Sequence, residues 1–363
     1  MKLTRTSSIE EAFALTPPLG RNCTATQTEA SVPVNLLDAC ANGIVTDVER
    51  ALQNGSSGEI RDSAGWAPLH IAAKLCHDNI VRVLLSHNAN INATTSGGST
   101  ALKTAAAEGH VAVVRVLLVA GADINLAGND SYVPLTIASE NGHSEVVALL
   151  VEFKVNLDVQ LCCGSTALAI ACDLGMLDIA TILVQGGASV DLTGCEGWSP
   201  LLITAMNGRG DITQLLLNHK ANVNIKGFGQ TTALRIAAEL GYLEVVRALV
   251  YGGASMNEPS EDGATPLLIA AKKGHHGIVQ FLVYQGADRN CQNYTGATAL
   301  SMAAMYNHQE SLRILLDSGA DVDLQDYCEW TALSIAYFSG YPQLVHLILG
   351  RRPASMRDLM VGL

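Results

Sequence analysis

The chain carries ten His and nine Cys, the side chains best suited to metal ligation, nucleophilic attack and proton transfer. Five histidines, His77, His110, His143, His275 and His308, occupy one recurring position, separated by 33 residues or a multiple of 33. Two ligands on one helix face need a spacing of three or four residues, and His275 and His276 are adjacent. Cys162, Cys163 and Cys195 form the densest thiol group. Cys162 and Cys195 stand one period apart, which places equivalent atoms about 8–10 Å apart in neighbouring layers. A disulfide needs Cα atoms within about 7 Å. Gly227-Phe228-Gly229 opens like a phosphate loop but is followed by neither a third Gly nor a Lys. No G-x-S-x-G, H-E-x-x-H or paired C-x-x-C motif occurs. The sequence is therefore read as a non-enzyme: no catalytic residue, no metal ligand set, no cofactor.

The elements that hold these side chains are set by one period. Starting at Leu36, steps of 33 land on Leu69, Leu102, Leu135, Leu168, Leu201, Leu234, Leu267, Leu300 and Leu333 with no insertion or deletion. Two residues before the marker stands Thr or Ser in seven of the nine later copies, from Thr100 to Thr331. A hydroxyl there caps the following helix by accepting an orphan backbone N–H. The next residue is Pro68, Pro134, Pro200 or Pro266 in four copies, which suits a first helical turn. Small pairs follow, such as Ala72-Ala73 and Ala270-Ala271, so neighbouring backbones can approach closely. In the last copy Tyr337 replaces the second small residue, as a terminal unit permits. Gly stands seven residues after the marker in seven of the nine later copies, ending the first helix in the left-handed region. A second apolar segment and a Gly-Ala turn complete each unit. Helices of about ten residues are too short to stand alone, so the units must stack.

Gly65-Trp66-Ala67-Pro68-Leu69-His70-Ile71-Ala72-Ala73 and Gly263-Ala264-Thr265-Pro266-Leu267, with Gly109-His110 and Gly121-Ala122-Asp123-Ile124-Asn125 further on, resemble the ankyrin repeat. The resemblance implies an all-α solenoid of stacked helix-turn-helix units with β-hairpin-like finger turns. It also implies that the recurring His bonds backbone at the turn, and that Asn92, Asn125, Asn224, Asn257 and Asn290 order the link. The signature His after the marker occurs only as His70. Elsewhere Lys103, Thr136, Ala169, Leu202, Arg235, Leu268, Ser301 or Ser334 takes its place. By the same resemblance, partner contacts come from the turn tips and the exposed face of the first helix. Those positions hold Trp66, Tyr132, Trp198, Phe228, Tyr294, Tyr306, Tyr327, Trp330 and Phe338, nine rings out of three Trp, nine Tyr and five Phe. They also hold Glu108, Glu140, Asp173 and Glu239, then Lys272 and Lys273. An acidic groove floor favours a basic or mixed-charge protein segment.

The net charge of −12 excludes general nucleic-acid binding, which needs a basic surface. An odd number of scattered cysteines fits reduced thiols, hence the cytoplasm, with the nucleus as a second compartment. The opening residues carry Glu10 and Glu11 and no signal-length apolar run, and no run of 18 apolar residues marks a membrane span. Residues 1–34 read as a flexible Ser/Thr-rich tail and residues 35–350 as the repeat domain, with a degenerate cap over 35–61 and nine repeats over 62–350. Residues 351–363 read as a short tail or capping helix, with Met356, Leu359, Met360 and Leu363 on one stripe. The expectation is a monomeric, soluble scaffold or adaptor that binds a partner protein through the groove. The alternative is a regulatory subunit, either a ubiquitin-ligase substrate receptor or an enzyme inhibitor.

Overall fold

The computed structural model describes residues 35–351; the predicted N-terminal tail and the stripe from Met356 to Leu363 lie outside the described residues. Among the described residues 20 α-helices follow one another in pairs, and no sheet forms. The first five pairs are α1 (Leu36–Asn42) with α2 (Val45–Gln53), α3 (Pro68–Lys74) with α4 (Asp78–Ser86), α5 (Ala101–Ala107) with α6 (Val111–Val119), α7 (Pro134–Glu140) with α8 (Ser144–Glu152), and α9 (Ala167–Leu174) with α10 (Leu177–Gln185). The rest are α11 (Pro200–Asn207) with α12 (Gly210–Asn218), α13 (Ala233–Leu240) with α14 (Leu243–Tyr251), α15 (Pro266–Lys273) with α16 (His276–Tyr284), α17 (Ala299–Met305) with α18 (Gln309–Asp317), and α19 (Ala332–Phe338) with α20 (Pro342–Arg351). Each odd helix packs on the next odd helix, each even helix on the next even one, and each pair on itself. The result is two parallel rows around one continuous aliphatic core.

The local chemistry follows the expected capping. In all seven copies with a hydroxyl two residues before the marker, that side chain accepts the backbone N–H three residues on, at 3.1–3.3 Å. The two exceptions cap in reverse. Thr136 Oγ1 accepts the Val133 N–H (3.1 Å), and His70 Nδ1 accepts the Ala67 N–H (3.2 Å). Seven residues after the marker every copy adopts positive φ. The values lie between 69° and 84° at glycines such as Gly208 and Gly241, but Cys76 (61°) and Asn307 (59°) hold the same conformation with side chains. An early left-handed stop explains why the first helices are seven or eight residues long, shorter than the ten expected. The marker leucines are buried throughout, and Tyr337, which replaces an alanine on the last first-row helix, is 61% exposed.

Two sets of side chains tie each layer to the next. His110, His143, His275 and His308 each donate from Nε2 to a carbonyl 36 residues earlier, at 2.8–3.0 Å. In the links Asn92, Asn125, Asp158, Asp191, Asn224, Asn257 and Asn290 each accept a backbone N–H 31 residues later. Backbone groups that the short turns leave unpaired are thereby satisfied by the neighbouring unit.

His70 adds a pH dependence. Its Nε2 faces the carbonyls of Ala93 (2.9 Å) and Ser99 (3.1 Å). A carbonyl only accepts, so Nε2 carries the proton and Nδ1 stays an acceptor. Burial holds the pKa below its ordinary 6.5, and a second proton would also break the Ala67 bond. Between 6.5 and the lower folded value the unfolded chain binds more protons, so stability falls as pH drops through that window. We expect the melting temperature to decline below pH 6.5, and less steeply in His70→Thr, which adopts the cap seen at Thr136. Melts of both proteins from pH 7.5 to 5 with equal slopes would refute the assignment.

Candidate functional site

The first-row helices stack on one another in one row, and a finger turn leads into each of them from α3 onward. Glu108 caps α5, Glu140 ends α7, Asp173 lies in the last turn of α9 and Glu239 in that of α13. Glu108, Glu140 and Asp173 are exposed. The four carboxylates are not electrically equivalent. Glu239 is held by Arg235 (3.2 Å) and Lys273 (3.5 Å). Glu108, Glu140 and Asp173 form no ion pair among the described residues. Asp173 accepts from Asn207 Nδ2 (2.9 Å). Glu140 faces Tyr132, whose hydroxyl pKa is pushed up to about 12, first by burial and then by its hydrogen bond to that carboxylate. The acidic stretch therefore spans α5 to α9 and is cancelled by α13.

The predicted rings divide into two groups. Trp66, Tyr132 and Trp198 are half-buried. Trp66 stands edge-on to His70 with Lys74 Nζ 5.2 Å from its ring centre, Lys103 Nζ lies 5.9 Å from the Tyr132 ring, and Trp198 packs on the core. Each lies down on its own turn because a neighbouring cation or aliphatic wall covers it. Phe228, Tyr294, Tyr306, Tyr327, Trp330 and Phe338 are exposed. Phe228 stands apart, on the 3-10 turn Phe228–Gln230 before α13. The other five gather on the last units. Trp330 and Phe338 meet edge to face at 5.0 Å, Tyr337 joins Phe338 at 5.4 Å, and Lys272 Nζ lies 5.9 Å from the Tyr306 ring centre. Met305 is exposed beside them. The first-row face thus has an acidic stretch on its third to fifth helices and an aromatic one at its C-terminal end.

Sequence reading missed a feature of the opposite row. Tyr251 and Tyr284 end α14 and α16, are 68% and 84% exposed, and Tyr251 meets Phe281 edge-on at 5.8 Å. Their own 33-residue spacing was a usable signal, but it falls outside the turn and first-helix positions.

Among the described residues no group of three or more His, Cys, Asp or Glu is placed to share a metal ion, and no helix is long and apolar enough to cross a membrane. Among curated proteins no relative matches the chain. A family model described as ankyrin repeats (3 copies) matches residues 36–128, 126–194, 178–260 and 267–356. Those matches span nearly all of the helical array, so the period, the caps and the paired rows have one common origin: the chain belongs to the ankyrin-repeat family.

Proposed function

We propose that the chain is a non-enzymatic scaffold or adaptor that holds one protein segment along the first-row and fingertip face. Ankyrin repeats are protein-interaction modules. The observation that carries the reading is the polarity of that face: carboxylates without ion pairs on α5 to α9, exposed rings on α17 and α19 and the fingers before them. Unpaired surface charge steers an oppositely charged partner, and clustered rings supply the desolvated anchors that dominate interface energies. The segment is basic or mixed in charge at one end and apolar at the other. Five layers separate α9 from α19, or about 40–50 Å at ordinary helix spacing. An extended chain covers that in about 12–15 residues. The chain works as a monomer in the cytoplasm or nucleus, with residues 1–34 and 351–363 as tails to the repeat domain.

The test is affinity capture from a matching cell extract, read by mass spectrometry. The wild type is compared with a charge variant (Glu108→Lys, Glu140→Lys, Asp173→Lys) and a ring variant (Tyr306→Ala, Phe338→Ser), each with unchanged helical circular dichroism. Trp198 is left intact because it packs on the core. We expect specific partners to fall about tenfold or more in each, a loss of at least ~1.4 kcal/mol. Partners retained by both variants but lost with Tyr251→Ser and Tyr284→Ser would move the site to the second row.

A further inference from the structure

Neighbouring fingers are joined by a backbone hydrogen bond that recurs along the array. The N–H six residues before one marker leucine donates to the carbonyl five residues before the preceding marker. The bond runs from Ser96 to Ala64 (3.4 Å), Cys195 to Cys163 (3.2 Å), Glu261 to Gly229 (3.3 Å), Tyr294 to Asp262 (3.3 Å) and Tyr327 to Thr295 (3.0 Å). Each finger leans on its predecessor by one residue, so the residues that meet are 32 apart in sequence rather than 33. Periodicity pairs Cys195 with Cys162; the fold sets it against Cys163. Of these five seams, this one has a thiol on both sides.

A 3.2 Å bond from the Cys195 N–H to the Cys163 carbonyl, with one N–Cα bond at one end and the C=O and C–Cα bonds at the other, holds the two Cα atoms within about 6.5 Å, inside the range of about 4.4–6.8 Å that a disulfide spans. Both cysteines are free and exposed. Cys163 Sγ lies 3.3 Å from the Ser165 hydroxyl, a weak contact that a rotamer change gives up at small cost. The close approach depends on Gly164, where a Cβ would fall 2.7 Å from the Cys195 nitrogen.

We infer that Cys163 and Cys195 are a modification site: a peroxide converts them to a reversible disulfide that clips the finger leading into α9 to the finger leading into α11. In the first step one thiolate attacks the peroxide, an S–O bond forms as the O–O bond breaks, and one water leaves. In the second step the other thiol attacks the sulfenic sulfur, the S–S bond forms as the S–O bond breaks, and a second water leaves. The two thiols give up two protons and two electrons, and the peroxide is reduced to two waters. A dithiol reductant reverses the change. The clip ties the loop that carries Trp198 to the loop just ahead of the Asp173 helix, and so fixes the rim of the first-row face in one arrangement. This holds whatever partner that face takes.

The experiment treats the full chain with hydrogen peroxide, blocks remaining thiols, and reads intact mass and peptides. Cleavage at Asp173 and Asp191 separates Cys163 from Cys195. We expect a loss of about 2 Da before blocking, the mass of two hydrogens, and two fewer blocking groups taken up afterwards, both reversed when dithiothreitol precedes the block. We also expect a cross-link that disappears in Cys163→Ser and in Cys195→Ser and persists in Cys162→Ser, with helical circular dichroism unchanged in all three. A cross-link lost in Cys162→Ser, or oxygen added to Cys163 and Cys195 with no cross-link, overturns the assignment.

Discussion

Truncating Leu168 to alanine should cost about 3–4 kcal/mol, near the middle of the range for buried leucines. The side chain is 1% exposed and sits in α9, which packs on α7, α11 and α10. Its neighbours on the helix are Ala167, Ala171 and Cys172, all buried. Such small groups cannot swing in to fill the space, so the cavity term adds to the lost transfer energy. The loss is felt locally, because each unit touches only its neighbours and stability is a sum of unit and interface terms. A weak unit at the fifth pair should split one cooperative urea transition into two. Trp66 reports on one side of the break and Trp198 and Trp330 on the other. Circular dichroism and single-Trp fluorescence measured together should therefore separate in Leu168→Ala and coincide in the wild type. A loss under about 1 kcal/mol would mean that the layers relax around the void.

Asp130→Ala should cost about 2–3 kcal/mol, below the full value for a broken buried pair because the carboxylate is partly solvated. Lys103 occupies the signature-His position on α5 with its side chain only 5% exposed, while that of Asp130 is 54% exposed. The ammonium meets both carboxylate oxygens, at 2.5 and 2.7 Å. Removing the carboxylate strands a buried cation. Replacing the cation as well, in Lys103→Met with Asp130→Ala, should recover most of the loss, since methionine fills the slot without a charge. Denaturant titration of the two single variants and the double variant closes the cycle. Two single losses that simply add would show that the pair is uncoupled.

These two sites mark how much of the fold and of the binding face could be read from sequence. Leu168 was legible because periodicity identifies equivalent positions, and caps and left-handed stops act within a few residues of themselves. The Thr and Ser caps and the terminal Tyr337 followed from that alone, whereas the backbone bonds of His110, His143, His275 and His308 were implied by the family resemblance. Periodicity names equivalents, not neighbours. Lys103 and Asp130 are 27 residues apart, Cys163 and Cys195 lean together across a 32-residue step, and neither distance is a multiple of the repeat. The candidate face was legible to the same degree. Its positions were identified, but the half-burial of Trp66, Tyr132 and Trp198 and the neutralisation of Glu239 depend on side chains from elsewhere. The cluster of Trp330, Phe338 and Tyr337 was visible as composition and became a surface only when α19 was placed at the end of the row.

The link ladder, with its side-chain acceptors at Asn92, Asn125, Asp158, Asp191, Asn224, Asn257 and Asn290 and its donors 31 residues on, bears on how such a gene can change length. A single codon gained or lost between acceptor and donor shifts every contact across that seam, at the link, the turn and the finger together. A whole unit gained or lost by unequal recombination leaves each remaining acceptor facing an equivalent donor. The array is therefore tolerant to copy-number change and intolerant to small indels, and the gapless run from Leu36 to Leu333 is what that asymmetry leaves behind.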